Sequence, residues 1–139
     1  MNKIKSAIIT PILAAGSTAS PYSYLINITQ RLCFPTCADT VPVFLPQYSL
    51  VSTTLVGTNL YSVTINVQGT INYVPCNGGC GCMKAQPLNQ NFTILIQSAT
   101  VPTAITPTQG TTQNAVVATA CQPCSRTFVS ETPLTITVA

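Results

Sequence analysis

Histidine and tryptophan are absent from this chain of 139 residues, and charged side chains are scarce, with five Lys or Arg and two Asp or Glu. The two carboxylates are Asp39 and Glu131. Acid–base catalysis relies mainly on histidine and on positioned carboxylates, so few groups here could carry it. The sequence also contains no phosphate-binding loop, nucleophile elbow or paired-carboxylate motif. We therefore predict that the protein is not an enzyme and has no small-molecule substrate.

The scarcity of charge also argues against a nucleic-acid partner. A formal net charge of +3 on so few cations cannot neutralise a run of phosphates. Hydrophobic residues make up 46% of the chain and the mean hydropathy is +0.40, the opposite of the composition of disordered proteins. A monomer this apolar would tend to precipitate, so its surplus apolar surface is best explained by burial against other subunits. The composition predicts a structural protein that assembles with copies of itself.

The apolar segment near the N-terminus is too short to cross a membrane. Residues 7–15 form this run, well below the roughly 20 residues that a transmembrane helix needs, and we expect no membrane partner. Two lysines before the run and small residues after it outline a secretory signal peptide, but Pro11 interrupts it. We expect instead that residues 1–23 form an apolar N-terminal arm and connector that docks on a neighbouring subunit. The alternative is a first strand packed on its own domain.

Apolar and polar residues alternate with a period of two through the remaining chain, and helical periodicity is hard to find. In the clearest run Tyr61, Val63 and Ile65 share one face, and the pattern resumes after Gly69, which predicts a bulge or bend there. Residues 24–139 are therefore predicted to form one all-β domain, a β-sandwich of immunoglobulin-like or jelly-roll-like type. The other predicted strands are residues 24–29, 41–45, 50–56, 92–96, 115–120, 127–129 and 134–138.

Seven cysteines form the strongest local signal, and they fall into three groups in turns that carry proline or glycine. Spacings of two to four positions suit a tetrahedral thiolate site for zinc, because a tight turn can direct two sulfurs at one ion. We predict such a site from the second and third groups and rank the first group behind them. The groups are Cys33 and Cys37; Cys76, Cys80 and Cys82; and Cys121 and Cys124.

Two alternatives to zinc stay open for these cysteines. A disulfide framework would stabilise a chain that is poor in salt bridges, and it requires an oxidising compartment or exposure to air. The odd number of cysteines would then leave at least one of them free or available for a bridge between chains. Buried, inert thiols are the other alternative, since cysteine behaves as a small hydrophobe. A redox role for Cys121 and Cys124 is disfavoured, because the residues that follow predict a strand and not a helix.

Two segments combine the cysteine groups with their flanking residues: YVPCNGGCGCMKAQ, residues 73–86, and CQPCSRTFVSETPLTITV, residues 121–138. They resemble small cysteine-rich β proteins from virions of crAss-like tailed phages of gut Bacteroides. The resemblance implies a structural subunit of the virion, a capsid decoration or head-fibre protein that binds itself and neighbouring capsid proteins. It also implies assembly in the host cytoplasm, a reducing setting that would favour zinc over disulfides.

A looser similarity is to the subunits of endospore appendages, which are short, weakly charged β-sandwiches joined by disulfides. The best-known pattern in those proteins begins with adjacent cysteines in an N-terminal connector, whereas this chain has no cysteine before Cys33. A disulfide-linked extracellular filament, such as a pilus or spore appendage, is therefore kept as the alternative to a virion protein. A secreted adhesin is a third hypothesis, and it would require cleavage of the N-terminus.

Overall fold

Burial alternates along most strands in the computed structural model of this protein, as expected for strands with one face on a core. The structure describes residues 7–16, 20–37, 41–75, 84–117 and 124–139, without the side chains of residues 33–35, 37 and 124–126. Nine strands and no helix occur in these ranges, which confirms the prediction of an all-β protein. Accordingly, the described residues contain no helix that is long and apolar enough to cross a membrane. The strands are β1 (Ile8–Leu13), β2 (Tyr22–Cys37), β3 (Val43–Phe44), β4 (Gln47–Gly57), β5 (Leu60–Tyr73), β6 (Lys84–Gln97), β7 (Ile105–Gln109), β8 (Gln113–Val116) and β9 (Cys124–Val138).

The nine strands form two antiparallel sheets. In sheet A, β2 and β9 lie at the centre, β1 pairs with β2, and β7 and β8 follow one another along the other side of β9. In sheet B, β6 pairs with the whole length of β5, so β3 and β4 share the other side of β5. Side chains from both sheets form a common hydrophobic core, which gives a sandwich-like arrangement.

The core is filled mainly by the inward-facing residues of the central strands of the two sheets. Phe44 of sheet B and Phe128 of sheet A meet edge to face, with ring centroids 5.8 Å apart and ring planes at 89°. Each fully buried side chain of this kind stabilises the fold by about 1.5–3 kcal/mol relative to an exposed one. The largest fully buried side chains are Phe44, Phe128, Ile26, Ile28, Leu32, Ile65, Ile71, Ile96, Leu134, Ile136, Val63 and Val67.

Of the bulge or bend predicted at Gly69, the structure shows no bulge. The pairing of β5 with β6 continues across Gly69 without a shift in register. A Cβ atom at Gly69 would lie 2.8 Å from Cε1 of Phe44 and 3.2 Å from the carbonyl oxygen of Leu45. Glycine is needed here because the chain between β3 and β4 passes too close for any side chain. The register shifts of sheet B occur in β4, at Val51 and Val56.

Part of the predicted N-terminal arm forms an edge strand of the same chain. All six residues of β1 pair with β2, while residues 1–6 lie outside the described residues. Ala7 is buried, and Ile9 packs against the core. β2 begins at Tyr22, just before the predicted boundary between residues 23 and 24. Docking of this segment on a neighbouring subunit stays a prediction.

Candidate functional site

The cysteines are the first candidate site, and the structure describes the backbone at three of them. Cys33 lies within β2, Cys37 is the last residue of β2, and Cys124 is the first residue of β9. Within the described residues, no group of three or more His, Cys, Asp or Glu could hold a metal ion. The zinc site stays a prediction, because its other candidate ligands lie outside those residues: Cys76, Cys80, Cys82 and Cys121.

Cys37 and Cys124 are directly opposite each other in the antiparallel pair of β2 and β9. The register of this pair shifts between Arg31 and Thr36, so that residues 32–35 form a bulge that includes Cys33. Pairing resumes at Thr36, and the next pair is Cys37 with Cys124. The structure thus brings together one cysteine of the first group and one of the third, a combination that local spacing does not predict.

Buried Thr36 connects this cysteine pair to the end of β5. Its hydroxyl donates a hydrogen bond to the carbonyl oxygen of Val74 at 2.9 Å, and its backbone forms a bridge with Pro75. Pro75 immediately precedes Cys76, the first residue of the second cysteine group. The ends of β2 and β5 and the start of β9 therefore meet at one end of the molecule. Each of the three cysteine groups contains or adjoins one of these strand ends.

Two buried glutamines support the irregular backbone beside the cysteine pair. The carbonyl oxygen of Arg31 accepts hydrogen bonds from the side-chain amides of Gln30 and Gln86, each at 3.0 Å. A backbone carbonyl beside a register shift is stabilised when side-chain amides donate to it. The two amides therefore stabilise the bulge that brings Cys37 opposite Cys124. Sequence reasoning missed both glutamines: Gln30 lies outside the cysteine segments, and Gln86 ends one of them without any signal of this contact.

Strand β4 is the second candidate site, because it exposes large apolar side chains at the edge of sheet B. Val51 and Leu55 are 52% and 61% exposed. Leu50 and Leu55 pair with the buried residues Ile65 and Tyr61 of β5, so they lie on the side of sheet B that covers the core. β4 also lacks the charges and prolines that usually keep an edge strand from pairing with another chain. At this edge, apolar side chains on the core side of the sheet are exposed to solvent.

The edge of sheet A carries a smaller apolar surface on β1. Ile8 is 67% exposed, and Ile12 and Leu13 are 45% and 46% exposed. The sequence predicts a strand at residues 50–56 and an apolar segment at residues 7–15, but not the exposure of either. Exposure depends on how far one sheet extends across the other, and no local pattern shows that.

A depression of about 350 Å³ lies on sheet A, where β2, β9 and β8 run side by side. Its lining includes Asn27, Thr29, Gln113, Val129 and Glu131. Glu131 is the one titratable side chain among the lining residues. One carboxylate does not define a reaction, so we assign none to this depression.

Burial between the two sheets raises the pKa of two tyrosines. Burial raises the pKa of Tyr24 and of Tyr48 above the ordinary value of 10.0, and the charge of neighbouring Tyr22 raises the pKa of Tyr24 further. The Tyr24 hydroxyl donates a hydrogen bond to the carbonyl oxygen of Leu95 at 3.2 Å. Both phenols are therefore neutral at physiological pH, and Tyr24 connects β2 to β6 across the core.

Comparison with known protein families, with curated proteins and with solved structures gives no significant match to this chain. The fold class is therefore supported by the strands and sheets alone. The virion protein, the extracellular filament and the absence of enzymatic activity all stay predictions.

Proposed function

We propose that this protein is a non-enzymatic structural subunit that assembles with copies of itself through the exposed edge strand β4. The observation that carries the proposal is the exposure of Leu50 and Leu55 on the side of sheet B that covers the core. A partner that covers these side chains extends the hydrophobic core across the contact. Full burial of an exposed leucine contributes about 1.5–3 kcal/mol, and these partly covered leucines would contribute less.

The sequence of β4 makes a second copy of the same strand a suitable partner. When two copies lie antiparallel about Thr53, Val51 of one copy is opposite Leu55 of the other, and Leu50 is opposite Val56. Apolar side chains then meet apolar side chains on both sides of the two-fold axis, as a self-complementary contact requires. Since β4 carries no charge, the contact brings no like charges together.

The assembly that we propose is a virion capsid, in which the protein is a decoration or head-fibre subunit and also contacts neighbouring capsid proteins. The sandwich would be of immunoglobulin-like or jelly-roll-like type. Low charge supports a salt-resistant contact, because at about 1 M salt, where the Debye length is about 3 Å, ion pairs are screened but apolar contacts are not. A disulfide-linked extracellular filament is the alternative. It would dissociate when its bridges are reduced, whereas a contact through β4 would persist.

The proposal is tested by two substitutions that add the same charge at exposed valines. Val51 lies on β4 and is 52% exposed, and Val101 lies between strands and is 77% exposed. We expect the native chain and Val101→Lys to form the same oligomer in sedimentation velocity. Val51→Lys should sediment as a monomer with an unchanged far-ultraviolet circular dichroism spectrum. A monomeric native chain, or equal association of the two variants, would contradict the proposal.

A further inference from the structure

We propose that Cys37 and Cys124 form an intramolecular disulfide bond that joins the end of β2 to the start of β9. The proposal rests on the register of these two strands and is independent of the assembly through β4. The two residues belong to different cysteine groups and are separated by most of the chain. Antiparallel pairing nevertheless makes them cross-strand neighbours.

The backbone spacing of such a pair suits a disulfide. Residues directly opposite each other in antiparallel strands have Cα atoms about 4.5 or 5.5 Å apart, depending on whether the pair is hydrogen-bonded. Disulfides require Cα atoms about 4.4–6.8 Å apart, so either kind of pair is within range. The backbone register therefore allows the link without a shift of either strand.

Two features of the surrounding backbone hold the pair in place. The bulge at residues 32–35 sets the register that makes Cys37 the partner of Cys124. Thr36, the residue before Cys37, is fully buried, and its hydroxyl donates a hydrogen bond to the carbonyl oxygen of Val74. A pair that is already positioned by the fold oxidises more readily than one that must be brought together, because less chain entropy is lost.

The reaction is a thiol–disulfide exchange with a small-molecule or protein disulfide as the oxidant. One cysteine thiolate attacks the oxidant, forms a mixed disulfide and expels the first thiol. The second cysteine then attacks the mixed disulfide and expels the second thiol. Cys37 and Cys124 together lose two protons and two electrons, and the oxidant is reduced to two thiols.

Cys33 provides a matched control because it lies on the same strand but within the bulge. One variant retains Cys37 and Cys124, the other retains Cys33 and Cys124, and serine replaces the remaining five cysteines in each. Both are equilibrated in glutathione redox buffer, quenched with acid and weighed by mass spectrometry. We expect the ratio of disulfide to dithiol to be at least about tenfold higher for Cys37 with Cys124. Equal ratios, or two free thiols in the first variant, would overturn the proposal.

The unmodified chain gives a second measurement that does not depend on the folding of the variants. Trypsin cleavage after Arg31, Lys84 and Arg126 places Cys37 and Cys124 in separate peptides, residues 32–84 and 85–126. In a chain isolated without reductant and alkylated before digestion, we expect these peptides to be linked, and fragmentation to locate the link at Cys37 and Cys124. Alkylation of either residue, a link through other cysteines, or bound zinc with all thiols reduced would each overturn the proposal.

Discussion

The side-chain amide of Gln90 in sheet B forms two hydrogen bonds with the backbone of Ala7, the residue before β1 of sheet A. The Ala7 N–H donates to Oε1 of Gln90 at 3.0 Å, and Nε2 of Gln90 donates to the Ala7 carbonyl oxygen at 2.7 Å. Gln109 makes the equivalent contact from sheet A to sheet B, since it accepts from the Tyr48 N–H at 3.1 Å and donates to the Pro46 carbonyl oxygen at 2.7 Å. Two glutamines thus join the sheets along both open sides.

Replacement of Gln90 by leucine should loosen β1. The substitution keeps the approximate shape but removes both hydrogen bonds, and it leaves the N–H and carbonyl of Ala7 without their partner. We expect a loss of about 1–3 kcal/mol in the free energy of unfolding, measured in urea, and faster amide hydrogen exchange in β1. Gln68→Leu, at an exposed position of β5, is the control and should change the stability little. Equal stability of the two variants would show that the Gln90 contact contributes nothing.

Alanine at Gly69 should destabilise the protein, because the new methyl group would overlap Phe44. We expect a loss of about 1–3 kcal/mol in the free energy of unfolding, as for other overpacked sites. Gly57→Ala is the matched control, since a Cβ there meets its nearest atom, Cβ of Leu60, at an ordinary 3.5 Å. Combining Gly69→Ala with Phe44→Leu should cost less than the sum of the two single changes. If the losses in unfolding free energy were additive, the methyl group at position 69 would not be overlapping the Phe44 ring.

Opposite charges at Thr53 should restore the association that like charges prevent. Thr53 is exposed near the centre of β4, and in the proposed two-fold contact it lies opposite itself. We expect Thr53→Lys and Thr53→Glu each to be monomeric, because identical charges would meet in the contact. An equimolar mixture should associate, and high salt should weaken that mixed pair but not the native contact. Sedimentation velocity of each variant and of the mixture distinguishes these outcomes, and a mixture that stays monomeric would contradict the two-fold arrangement.

The stability of the fold should fall at alkaline pH, partly through Tyr24. Its pKa is raised in the folded protein, so the folded state holds the phenolic proton more tightly than the unfolded chain does. The resulting stabilisation is fully present below the ordinary pKa of 10.0 and is lost as pH rises through the higher folded pKa. Urea unfolding from about pH 8 to about pH 11 should therefore show a steeper decline for the native chain than for Tyr24→Phe. If the stability of both proteins fell equally with pH, Tyr24 would not contribute to the loss at alkaline pH.

The central strand β5 of sheet B could be predicted because its buried and less buried residues alternate with a period of two. Tyr61, Val63 and Ile65 alternate with polar residues, and this pattern is visible without knowledge of any partner. The role of Gly69 could not be predicted in the same way. It depends on Phe44, which is distant in sequence and contacts β5 only in the folded sheet. Local patterns predict strands, whereas a close approach between strands is a property of the tertiary structure.

The cysteine site shows the same limit. Short spacing is the main signal that a sequence offers for cysteines, and it favours pairs within one group, Cys33 with Cys37 or Cys121 with Cys124. Register is set instead by the bulge after Arg31 and by the buried amides of Gln30 and Gln86. None of these features forms a recognisable motif. The pairing of Cys37 with Cys124 is therefore visible only when β2 and β9 lie side by side.

In the proposed assembly, the two-fold contact through β4 limits the number of copies that one molecule can bind. A two-fold contact uses the same edge of both copies, so it is saturated by a dimer and cannot propagate. Growth beyond a dimer requires a second contact, and the exposed Ile8, Ile12 and Leu13 of β1 provide an apolar edge on the other sheet. In the proposed particle this second edge would be covered by a different protein, since copies of this chain alone would stop at the dimer. A two-dimensional shell would therefore need that other protein to supply the lattice.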